Sequence, residues 1–110
     1  MAVAKQFNAI TSELTLAEAL VGAYKNHIQL VALYEDMISD RPELAVYPID
    51  RNILSNAALL RSKNKTALAD AIHVATAHIH GADFFITQDK RLKTTEGLQK
   101  LSLDELLSTK

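Results

Sequence analysis

Three carboxylates and one histidine carry the chemistry that this sequence offers. Asp70 and His73 stand three apart in "ADAIHVATAHIHGADFFITQD", and Asp89 closes the same stretch just behind the apolar run "FFIT". Glu18 lies far upstream, in "ELTLAEAL". Carboxylates brought together select hard divalent cations such as Mg²⁺ and Mn²⁺, which prefer oxygen ligands. Ions of this kind activate water and stabilise the charge that builds on a phosphoryl group. The chemistry depends on convergence, and spacing alone leaves plainer explanations open. At about 100° per residue, Asp70 falls nearly opposite Leu68, Ile72 and Ile79, where a solvated charge belongs. Asp89 can cap the turn that follows it. Glu18 completes a capping box, Thr15-x-x-Glu18. His73 can share a metal with Asp70 across one helical turn, or simply pack there.

Two basic groups bracket the aspartates: Arg61, Lys63 and Lys65 before Asp70, and Lys90, Arg91 and Lys93 after Asp89. Cations in these places suit a phosphate backbone, although most charge runs are solvated faces. Base stacking has little support, since the chain has 3 Tyr, 3 Phe and no Trp. His78 and His80 point in different directions from the end of one helix and make no metal site, and His27 has no evident partner.

The elements that must position these residues alternate between helix and strand. "FNAIT" reads as a short strand. Thr15 opens a helix whose apolar stripe is Leu16, Leu20, Ala23 and Tyr24. A second helical pattern holds Leu30, Val31, Tyr34, Met37 and Ile38 and ends at the turn "DRPE". "LAVYPI" is a strand with Pro48 at its end. Asp50 caps a third helix carrying Ile53, Leu54, Ala57, Ala58 and Leu60, which "RSKNK" breaks. Thr66 is the expected N-cap of a fourth helix, with Leu68, Ala71, Ile72, Ala75 and Ile79 on its apolar face. Gly81 supplies a left-handed C-terminal cap, and "DFFIT" is a buried strand. Asp83, just before it, reads as a turn residue. "DKRLK" offers a short basic helical turn, and "LQKLSLDELL" a last strand running into a brief helix. This alternation predicts an α/β layer with a mainly parallel sheet, in which ligands gather at the carboxyl ends of the strands.

Bulk properties narrow the classes. A chain of 110 residues makes one small domain, and 12 Lys+Arg against 13 Asp+Glu announces no nucleic-acid partner through net charge. The absence of cysteine excludes disulfides and thiolate zinc sites and fits a cytoplasmic address. No window reaches membrane-spanning length and no signal-peptide pattern opens the chain, so no membrane partner is expected.

"ADAIHVATAHIHGADFFITQDKRL" closely resembles the C-terminal signature of PIN domains, especially the VapC-type ribonuclease toxins. Its pieces are "DAIH", "A-x-A", "GAD", an apolar strand and "T-x-D-x-x-L". "ITSELTLAEALVG" is similar to the family's strand-to-helix segment with its second acidic residue, and "LQKLSLDELL" to its terminal strand. The resemblance covers about Phe7 to Leu107 and implies a single PIN-like domain over residues 1–110, a three-layer α/β/α fold with a mainly parallel sheet. It implies an acidic pocket for Mg²⁺ or Mn²⁺ and hydrolysis of RNA phosphodiesters by metal-activated water. Carried over motif by motif, Glu18, Asp70 and Asp89 become the catalytic carboxylates and metal ligands. Thr87 and His73 support them from behind, and Lys90, Arg91 and Lys65 contact RNA phosphate. A cognate antitoxin and a homodimer or higher oligomer are further implied partners.

One departure stands out. The family begins with a central strand bearing an aspartate in "D-[TS]-[NS]", and nothing before Phe7 resembles it. The expectation is an N-terminally truncated domain with a weakened metal site and two open strand edges, which invite pairing with another chain. An impaired ribonuclease and a non-catalytic remnant that dimerises or binds an antitoxin are the two resulting readings. An unrelated phosphate-binding α/β domain ranks last, because no glycine-rich phosphate loop is present.

Overall fold

The computed structural model describes residues 9–87 and 99–101. Their order is β1 (Ala9–Ser12), α1 (Glu13–Asn26), a 3-10 turn (Ile28–Leu30), α2 (Val31–Met37), β2 (Ala45–Tyr47), α3 (Arg51–Lys63), α4 (Leu68–Ile79), β3 (Phe84–Ile86) and β4 (Gln99–Leu101). The strands form one all-parallel sheet in the order β2-β1-β3-β4. Crossover helices cover both faces, as a parallel sheet requires, and the three-layer α/β/α expectation is borne out. The basic turn predicted at "DKRLK" and the brief terminal helix lie outside the described residues.

The pleat divides the core in two. Ala9 and Ile86 face Ala19, Met37, Ile38 and Leu44 beneath α1 and α2. Their neighbours Ile10 and Phe85 face the other way, onto Val74 and Ala77 of α4. A third cluster joins Ile53 and Ala57 of α3 to Ala71, Ile72 and Ala75 of α4. Helix α4 is thus packed by the sheet on one side and α3 on the other, and every residue from Ala71 to Ala77 is buried. Leu68 and Ile79, assigned to its apolar face, are 50% and 38% exposed because they sit at its two ends.

The open edges expected in mid-sheet do not form. β1 and β3 pair directly, Ala9 with Phe84 and Ile10 with Phe85. Where this ladder stops, the buried Thr11 hydroxyl reaches the Ile86 carbonyl at 2.6 Å. The Thr11 and Thr15 hydroxyls lie 2.7 Å apart. A carbonyl only accepts and Thr11 has one hydroxyl proton, so with that proton on Ile86 the proton between the two threonines comes from Thr15.

Several local expectations are corrected by competing hydrogen bonds. Helix α1 begins after Ser12, whose Oγ accepts from the Leu14 N–H at 3.0 Å, rather than at Thr15. That earlier start turns Thr15, Ala19 and Ala23 inward and leaves Tyr24 59% exposed. Asp50 caps α3 as expected, accepting from the Ile53 N–H at 2.9 Å. "RSKNK" does not break α3 at Arg61: the helix runs to Lys63, and Asn64 ends it with both its N–H and side-chain amide on the Leu60 carbonyl. Thr66 does not cap α4. Its carbonyl accepts from Arg61 Nη1 at 2.7 Å, and Ala67 occupies the N-cap position with no side-chain cap bond. Gly81, at φ 65°, takes the left-handed conformation that ends α4.

Candidate functional site

The ends of β1 and the start of α4 build the site. With Ser12 as the cap of α1, Glu18 has no capping box to complete and lies in the helix's second turn. Its Oε1 stands 2.8 Å from Nε2 of His73, a residue 55 positions away in sequence. The imidazole is fully buried, whereas the Glu18 side chain remains 37% exposed. A carboxylate has only acceptor sites, so Nε2 carries the proton in this contact. The His73 ring also lies 5.1 Å from the ring of Phe85, tilted by 57°. Its other nitrogen, Nδ1, is buried without a hydrogen-bond partner among the described residues.

Asp70 sits in the first turn of α4, where the helix dipole favours negative charge. It is half-buried and, among the described residues, makes no side-chain hydrogen bond or ion pair. Asp70 therefore keeps part of its surface in solvent just before the buried run from Ala71 to Ala77. Residues three apart on a helix are neighbours, with Cβ atoms about 5–6 Å apart. Glu18 and His73 thus meet across two elements, and Asp70 stands one helical turn before His73 on α4.

Other expected participants are placed less fully. Thr87 follows β3 directly and is 4% exposed. Lys65 is exposed in the connection that leads into the first turn of α4. Asp89, Lys90 and Arg91 lie outside the described residues. Among the described residues, no three His, Cys, Asp or Glu side chains group closely enough to hold a metal ion. Two carboxylates with at least one unpartnered oxygen each nevertheless suit a hard divalent cation, since Mg²⁺ is commonly held by one or two carboxylates and several waters.

A groove of about 260 Å³ leads away from Glu18 along α1, past Ala19, Gly22 and Asn26, to His27 and Tyr34. Sequence patterning gave no sign of this groove, because its walls come from α1, the turn after it and Tyr34 of α2 rather than from a motif. The buried Thr11–Thr15 pair was equally hidden, since two threonines four apart across a strand–helix junction have no periodic signature. No described helix is long and apolar enough to cross a membrane.

The PIN domain family profile matches residues 2–98. No curated protein matches this sequence. Among solved structures, a toxin–antitoxin complex from Klebsiella pneumoniae contains a chain of similar fold, with a TM-score of 0.58 and 24% sequence identity. That similarity covers 86% of this chain and 75% of the other. With the family profile spanning nearly all of the sequence and the parallel α/β/α sheet in place, this chain belongs to the PIN domain family.

Proposed function

We propose that this chain acts as a VapC-type, metal-dependent endoribonuclease that hydrolyses RNA phosphodiesters. The observation that supports the proposal is the Glu18–His73 contact, which holds a carboxylate of α1 against α4 one helical turn from Asp70. On this reading Glu18, Asp70 and Asp89 hold Mg²⁺ or Mn²⁺. A bound cation of this kind supplies Lewis acidity toward phosphoryl oxygens and lowers the pKa of water. Asp70 contributes negative charge from a helix start, where it is favoured without a protein counter-ion. Lys65, Lys90 and Arg91 hold RNA through its phosphates, which positions the chain without reading sequence. Thr87 supports the acidic residues through its buried hydroxyl. The groove beside Glu18 gives room for RNA flanking the scissile bond. A cytoplasmic setting, where RNA is the available substrate, accompanies this reading.

Incubation of the purified chain with a fluorogenic RNA tests the proposal directly. Cleavage is expected with Mn²⁺ or Mg²⁺ and is expected to disappear when EDTA removes the metal. Equal cleavage with and without EDTA counts against a metal site, and absence of cleavage under every metal condition removes catalysis from the proposal.

A second reading has its own observation. Val21 and Tyr24 of α1, Ile28 of the 3-10 turn and Leu33 of α2 are 55%, 59%, 69% and 48% exposed. Large apolar side chains displayed along consecutive elements favour a covering partner, either an antitoxin-type protein or a second copy. Fold similarity to a chain in a toxin–antitoxin complex supports the same direction. Sedimentation equilibrium of the purified chain is expected to show a homodimer or higher oligomer at micromolar concentration. A clean monomer there counts against self-association and leaves an antitoxin as the partner to test.

A further inference from the structure

We propose that His73 is the positioning residue for Glu18, fixing one carboxylate oxygen so that the other serves the metal. This inference rests on the reading of Glu18 and Asp70 as a cation site. The imidazole is fully buried in the middle of α4, against the apolar ring of Phe85. An apolar side chain of similar volume satisfies such a place without any hydrogen bond. The imidazole instead makes one hydrogen bond, to Glu18, and leaves Nδ1 with no partner among the described residues. A ring placed only for packing gains nothing from that arrangement. A ring placed to hold Glu18 gains a donor at a fixed point.

The fixed point follows from the packing. Phe85 of β3 lies against the ring, and α4 is buried along its whole middle, so the imidazole has little freedom to turn. Glu18, by contrast, has three rotatable side-chain bonds and substantial exposure. A rigid donor therefore orders a mobile acceptor. With Oε1 bound to Nε2–H, Oε2 has no protein partner among the described residues. Glu18 is thereby presented as a one-oxygen ligand on the side of α4 that carries Asp70.

Substitutions that separate the donor from the ring's bulk test this assignment. In His73→Gln the amide nitrogen falls near the place of Nε2 and retains a donor toward Glu18. In His73→Asn the shorter amide reaches only as far as Nδ1, and His73→Leu keeps volume without a donor. Mn²⁺ binding is read by electron paramagnetic resonance titration of free Mn²⁺, with thermal unfolding recorded for every variant and Asp70→Asn as a reference. Loss of an outer hydrogen-bond partner lowers metal affinity about 10–100-fold, so His73→Leu and His73→Asn are expected in that range and His73→Gln within about threefold of wild type.

Wild-type affinity in a folded His73→Leu chain, alongside weakened binding in Asp70→Asn, overturns the positioning role and leaves the site intact. If His73→Leu does not unfold cooperatively, the Gln and Asn variants decide, and equal affinity in those two overturns it. Undetectable Mn²⁺ binding by wild type, or binding that neither Asp70→Asn nor His73→Leu changes, overturns the cation-site reading and the positioning role with it.

Discussion

Asp70→Asn is expected to lower metal-dependent RNA cleavage by about 30-fold to about 1,000-fold while the chain stays folded. At an effective dielectric of about 20, two unit charges about 4 Å apart attract by about 4 kcal/mol. A divalent ion beside Asp70 loses an attraction of at least that order when the carboxylate becomes an amide. Competition from water takes back part of it, so a net loss of about 2–4 kcal/mol is expected, and each 1.4 kcal/mol is about tenfold. The amide keeps the shape of the carboxylate, so packing at the start of α4 is preserved. Loss of charge from a helix's first turn costs about 0.3–1 kcal/mol. Asp70 makes no ion pair among the described residues, so the substitution breaks no partner contact there. The melting temperature should therefore move by only a few degrees. Cleavage rates over a Mn²⁺ titration, with parallel melts, check both parts. Unchanged cleavage in a folded Asp70→Asn chain removes Asp70 from the reaction.

The direction of that result depends on features of different legibility in the sequence. The parallel α/β layering was readable because helix-period and strand-period segments alternate with short, polar connections. Asp50 and Gly81 announced their caps through residue types with few other uses at those places. Caps with several candidates nearby were not readable. Ser12, Thr11 and Thr15 all carry hydroxyls within one turn, and only the pairing of β1 with β3 decides that Thr11 reaches Ile86 while Ser12 is left to cap α1.

The same limit explains the site. Periodicity assumes one wet face per helix, and α4 has none through its middle. An amphipathic projection therefore left His73 ambiguous. The resemblance to PIN domains named Glu18, Asp70 and His73 by their motifs, but it gave no reason for Glu18 and His73 to touch. That contact spans 55 residues and exists because β1 lies beside β3 and α4 packs across them. Long-range geometry of this kind is a property of the assembled sheet and has no local signature.

Phe85→Ala is expected to produce the largest loss of stability among single substitutions at the site's base. Phe85 is fully buried between Ile10, Val74 and Ala77, and its ring supports His73 from the sheet side. Truncation removes the transfer free energy of the ring and leaves a cavity that a parallel sheet closes poorly, at a cost of about 3–5 kcal/mol. Small domains have about 5–15 kcal/mol of total stability. The variant therefore loses a large part of its margin, and at about 4–8 °C per kcal/mol its melting temperature falls by more than about 12 °C. Leu59→Ala provides the contrast, because Leu59 is 55% exposed and a surface truncation moves stability by about 0.5 kcal/mol or less. Urea unfolding of both variants should show a lower midpoint with an unchanged slope for Phe85→Ala alone. The two losses also differ in consequence. With Phe85 gone the His73 ring loses its backing, so at temperatures where the variant is still folded Mn²⁺ binding should weaken, whereas in Leu59→Ala it should not. A Phe85→Ala chain as stable as Leu59→Ala would mean that Phe85 is not central to the packing beneath the site.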